Sequence, residues 1–165
     1  MKNLQEIILL FFLCLLGNYG MTAQENPPIP VQVEVNTAQF LNFGAFTVGD
    51  AGGTVSVDHN GTRTWTGDVT LLNNGTVSPA LYDVYANPGT IINITHPASF
   101  ELTGTSGQKI SLEINSYSTG NTFISTQNPT IPNSVYIGGT LILGSSSANG
   151  PGNYSGTINI TFNQQ

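Results

Sequence analysis

Charge is what this sequence has least of. Asp, Glu, Lys and Arg together make up 7% of the chain, and only three residues are cationic. Beyond residue 23, Arg63 and Lys109 face eight carboxylates. A polyanion is repelled by that balance, which excludes nucleic acid as a partner and disfavours an anionic membrane surface. Cysteine is nearly absent: Cys14 stands alone, so the chain cannot close an internal disulfide. Two histidines are the only imidazoles. Long stretches of Ala, Leu, Glu and Lys are missing too, which speaks against helices. No apolar run reaches the roughly 18 residues a membrane helix needs.

The longest apolar run, residues 7–16, has instead the length of a signal-peptide core. Lys2 precedes it, Gly17, Asn18 and Gly20 break it, and Met21-Thr22-Ala23 ends in a small residue. A cleaved signal peptide over residues 1–23 is expected, with the cut before Gln24. Phe12 and Leu13 do not supply the small residues that lipoprotein processing wants ahead of a cysteine, so Cys14 leaves with the peptide. The remaining chain, roughly 140 residues, suits one domain, 31–165, behind a Pro-rich linker at 24–30. Its location is then outside the inner membrane: periplasm, outer surface or medium.

What is abundant is Ser, Thr, Asn and β-branched residues, punctuated by 19 Gly and 9 Pro, and this reads as strands and turns. Val31, Val33 and Val35 alternate with polar residues as a half-buried strand. A second strand is expected across residues 40–46, with Gly44 at a bulge. Asn60-Gly61 predicts a two-residue hairpin turn that pairs Asp58 with Arg63 and Val57 with Thr64. That register sets Trp65 on the face opposite Val55 and Val57, so either both faces are covered or a bulge shifts the register. Alternation recurs at 80–85, 90–95, 100–103, 110–114, 134–137 and 140–143. Residues 118–134 read as a long loop around one short edge strand near Phe123 and Ile124. Residues 154–162 read as a last strand, with Tyr154, Ile158, Ile160 and Phe162 facing the core. The sum is an all-β chain, an antiparallel sandwich of about eight to ten strands.

Chemistry finds little purchase in this pattern. His59 beside Asp58, and His96 before Pro97, fall in turns. No nucleophile-elbow pattern joins the many serines to either histidine. Asp50, Asp58, Asp68 and Asp83 lack the spacing of a calcium loop, and no Cys/His pattern suggests zinc. No enzyme, cofactor or metal is expected. Among the aromatic residues Trp65, Tyr82, Tyr85, Tyr117, Tyr136 and Tyr154, most sit at alternating positions suited to packing. Trp65 is the candidate glycan contact. The Asn-x-Ser/Thr triplets at Asn60, Asn74, Asn93, Asn153 and Asn159 are expected by chance in a chain so rich in Asn and Thr.

Several segments in order carry a family resemblance. They are Phe40-Leu41-Asn42-Phe43-Gly44, the hairpin from Gly53 to Gly67, Asn87-Pro88-Gly89, Gly138-Gly139-Thr140-Leu141, and Pro151-Gly152-Asn153-Tyr154-Ser155-Gly156. Over roughly residues 31–163 the chain resembles a family of exported bacterial domains of unknown function. These in turn look like the immunoglobulin-like sandwiches of pilin subunits and spore-coat-U-type proteins. The resemblance implies export and fold, and no catalytic residues. Many pilin subunits have a disulfide, which this chain lacks. The functional expectation is a structural or adhesive surface module, fimbria-like. It would join itself or another surface subunit through the strand carrying Val31, Val33 and Val35, paired either in cis or in trans. The alternative is a secreted carbohydrate-binding module using Trp65.

Overall fold

The computed structural model describes residues 30–36 and 39–165. The expected signal peptide and all of the linker except Pro30 lie outside them. The described residues form thirteen strands and no helix. In chain order they are β1 (Gln32–Val35), β2 (Asn42–Phe43), β3 (Phe46–Val57), β4 (Arg63–Leu71), β5 (Val77–Ser78), β6 (Ala80–Tyr85) and β7 (Ile91–Thr95). There follow β8 (Phe100–Gly104), β9 (Lys109–Tyr117), β10 (Thr122–Ile124), β11 (Asn133–Leu143), β12 (Tyr154–Ser155) and β13 (Thr161–Gln164). The count exceeds eight to ten because β2 and β5, which pair with each other as a separate two-stranded sheet, and β12 are two-residue strands that no alternation can announce.

Every pairing is antiparallel. Eight strands make a large sheet, part of it a curled half-barrel, in the order β1-β6-β11-β9-β8-β12, with β3 on β11 and β4 on β3. The eleven-residue β11 is its spine. One of its edges pairs β6 through residues 133–137 and then β3 through 139–143. Its other edge pairs β9, with a bulge at Gly138/Gly139. A second sheet, β10-β7-β13, lays Ile92 and Ile94 into the same buried cluster as Val55, Val84, Leu112 and Val135. Tyr82 of the large sheet meets Phe162 of the small one with ring centroids 5.5 Å apart. Alternation is the force behind this arrangement. In β6, buried Ala80, Tyr82 and Val84 alternate with half-buried Leu81, Asp83 and Tyr85, and the same period runs through β8.

Three expectations are corrected by the geometry. The first is the hairpin between β3 and β4, which pairs Val57 with Arg63 and Val55 with Trp65, one residue away from the two-residue-turn register. The Asp58 carboxylate accepts the N–H groups of Asn60 (2.9 Å) and Thr62 (2.7 Å), and Asp58 N–H donates to the Thr62 carbonyl (3.0 Å). The loop is therefore three residues, His59-Asn60-Gly61, closed by Gly61 at φ 82°, a left-handed position that suits glycine. Trp65 consequently lies on the same face as Val55, at the sheet margin, which settles the choice left open in favour of a register shift.

The second correction concerns residues 40–46. They are not one strand, because Gly44 (φ 67°) turns the chain between β2 and β3 and its N–H donates to the Asn42 side chain. The third concerns the last strand. It divides into β12 on β8 and β13 on β7, with residues 156–160 crossing from one sheet to the other. Gly156 makes the crossing possible: a Cβ there would sit 2.6 Å from Leu102 Cδ2 and 2.7 Å from the Glu101 carbonyl. The inward parity survives the break, since Tyr154, Ile158, Ile160 and Phe162 all pack against the core.

Candidate functional site

The curl of the large sheet brings its two ends near each other without joining them. At one end, residues 46–48 of β3 pair with β4 along one edge only. At the other, Tyr154 and Ser155 pair with β8 along one edge only. Among the described residues no ladder fills the space between these edges. The space is a cleft of 730 Å³ lined by residues 41–48 and 149–156, and by Ile158. Its floor is the inner face of β8, β9 and β11: Leu102, Ile110, Leu112, Leu141 and Leu143, all buried. No charged side chain lines it. Volume and lining suit a ligand-sized neutral body with apolar substituents.

The two rims are held rigidly. On one, the Arg63 guanidinium donates to the carbonyls of Phe43 (3.0 Å), Ala45 (3.2 Å) and Leu72 (2.8 Å), tying the β2–β3 turn to the end of β4. On the other, Tyr154 Oη donates to the Gly150 carbonyl (2.8 Å) and Asn149 Nδ2 to the Lys109 carbonyl (2.9 Å). One end of the cleft is closed where Ser146 N–H bonds the Gly49 carbonyl (3.0 Å) and its hydroxyl bonds Asp50 (2.8 Å).

The expected strand at Val31, Val33 and Val35 is β1, which pairs in cis with β6 over four positions, Val33 opposite Val84. Its seat is shallow. Val31 packs against the core, but Val33 is 37% exposed while its partner Val84 is fully buried. Trp65 is 54% exposed and lies outside the cleft lining.

The titratable candidates are scattered. His59 is half-buried, with its N–H and its Nδ1 each 2.9 Å from Ser116 Oγ, so the pair staples the β3–β4 loop to β9. Asp58, the third member of any triad, is turned into its own loop. The Thr62 N–H holds its carboxyl below the usual range; desolvation, the next influence, opposes it, and Asn60 and the neighbouring His59 add smaller lowering contributions. His96 stacks on Tyr117 (ring centroids 6.1 Å) and its Nδ1 meets the Pro97 carbonyl at 2.7 Å. Its Nε2 takes the Tyr117 hydroxyl at close range. Asp50 and Asp83 accept serine hydroxyls (Ser146 and Ser134), and among the described residues no three His, Cys, Asp or Glu side chains converge on a metal position. No described helix is long and apolar enough to cross a membrane. Among the aromatic residues, Tyr82 is core, where burial raises its pKa, and Tyr154 lines the cleft.

A family model for a domain of unknown function, DUF4402, matches residues 33–163. The chain belongs to the DUF4402 family. Its family boundaries take in both rims of the cleft, its floor and most of β1. No curated protein and no solved structure matches this DUF4402 chain.

Proposed function

We propose that this DUF4402 protein is a non-enzymatic, exported structural or adhesive module of the cell surface, fimbria-like in joining its neighbours by strand addition. One observation carries the proposal: β1 is a four-position edge strand whose central valine is 37% exposed. A strand held so lightly at a sheet edge exchanges at low cost, and backbone hydrogen bonds with alternating side chains recognise its new seat. The eight-stranded and three-stranded antiparallel sheets, sharing one buried cluster, support an immunoglobulin-like, pilin-like sandwich as the finer description of the fold. The charge-poor, Ser/Thr/Asn-rich composition suits a protein working outside the inner membrane, in the periplasm, on the outer surface or in the medium.

Deleting residues 24–36 and sizing the exported protein by light scattering tests this. Loss of assembly with a folded monomer is the expected result. An unfolded monomer would show that β1 belongs to its own core and would end the proposal. The second reading, a secreted carbohydrate-binding module, is favoured by Trp65, whose exposed ring offers a face for a sugar. Glycan-array binding that disappears in Trp65→Ala at unchanged thermal stability supports it, and silence across a broad panel removes it.

A further inference from the structure

We infer that the cleft between residues 46–48 and 154–158 is an acceptor seat for one extended polypeptide, the β1 segment of a second copy of this chain. The inference rests on the strand-addition reading above and names the place and the partner. Three features of the cleft specify its occupant. Residues 46–48 and 154–155 are strand edges that pair on one side only, and residues 156–158 join no ladder, so the backbone groups facing the gap ask for N–H and C=O partners spaced along an extended chain. The floor is aliphatic, and so asks for apolar side chains on one parity of that chain. The lining carries no charge, so any charged residue of the occupant must point the other way.

The β1 segment meets each demand. Val31, Val33 and Val35 share one parity and would face Leu102, Leu112 and Leu141. Gln32 and Glu34 share the other and would face solvent, leaving the carboxylate hydrated. Pro30, with no N–H to give, marks where the new ladder ends. The closed end at Gly49 and Ser146 limits the seat to a short strand. The exchange moves Val33 from a 37% exposed position on β6 to one over an aliphatic floor, at the cost of uncovering Val84.

The test adds a synthetic peptide of residues 30–36 to the full mature chain and follows binding together with backbone hydrogen exchange. The expected result is saturable binding, at least tenfold tighter than that of a same-composition peptide with the valine parity broken. It comes with new protection at residues 46–48 and 154–158. Methylating either alternate set of peptide nitrogens should weaken binding, since one set faces each rim. No binding, or equal binding of the scrambled peptide, overturns the inference. So does protection confined to residues 80–85, since that places the peptide on the β6 edge. An unrelated alternating-valine peptide that binds as tightly overturns the assignment to a second copy. Failure here with assembly still lost on deleting residues 24–36 would sink the seat and leave the surface-module reading standing. Peptide binding at the seat with assembly intact after that deletion would sink the reading instead.

Discussion

Replacing Arg63 with alanine should cost this protein more than any other single surface change, because the guanidinium holds three backbone carbonyls and has no carboxylate partner. The one ion pair among the described residues is Lys109–Glu101. A hydrogen bond to a charged group is worth about 1.5–3 kcal/mol. Two of the three, to Phe43 and Ala45, are partly buried, and the one to Leu72 is exposed. The Ala45 carbonyl keeps a second partner, the Leu72 N–H at 3.0 Å, which reduces the loss. The expected destabilisation is then about 2–4 kcal/mol. For a domain of this size that lowers the melting temperature by roughly 6–20 °C. Differential scanning calorimetry measures it directly. Arg63→Lys should recover less than half, since one ammonium cannot span the Phe43 and Leu72 carbonyls together. An alanine variant melting within about 2 °C of wild type would refute the clamp.

Other consequences follow from the same geometry. Gly138→Ala should destabilise by about 2–3 kcal/mol in urea unfolding, because its Cβ would meet the Val57 carbonyl at 2.1 Å in the spine strand. Trp65→Ala should cost under about 1.5 kcal/mol by the same assay, since the ring is 54% exposed. Asp58 gives a pH signature. Its folded carboxyl is held low, chiefly by the Thr62 N–H, so its ionised form stabilises the fold above its ordinary range, and that contribution fades as pH falls through the folded value. The stability gap between wild type and Asp58→Asn should therefore narrow as pH falls below about pH 5, and a gap that widens on acidification would contradict the loop geometry.

Local periodicity carried most of the strand content. The Ala80-to-Tyr85 alternation and the inward parity of Tyr154, Ile158, Ile160 and Phe162 were legible because a period of two needs only the side chains themselves. The hairpin register was not, because Asn-Gly matches a two-residue turn and the competing signal is the Asp58 carboxylate reaching Asn60 and Thr62. An Asp three residues before the Gly was the sign available. The break at Gly156 was hidden for another reason: parity shows which face a residue takes, not which sheet it joins. The Arg63 clamp spans 18 and 20 residues to its carbonyls in β2 and the turn after it. The cleft rims come from the two ends of the described chain, so neither leaves a local trace. Trp65 could be named from sequence, but its place at the sheet margin depended on the register.

A strand-exchanging surface module must leave the cytoplasm and join others of its kind. Fractionating native cells and sizing the protein in each fraction measures both at once. Strand exchange at an exported surface module predicts a chain shortened by its first 23 residues, outside the inner membrane, in species larger than one copy. A full-length monomer in the cytosol would contradict it.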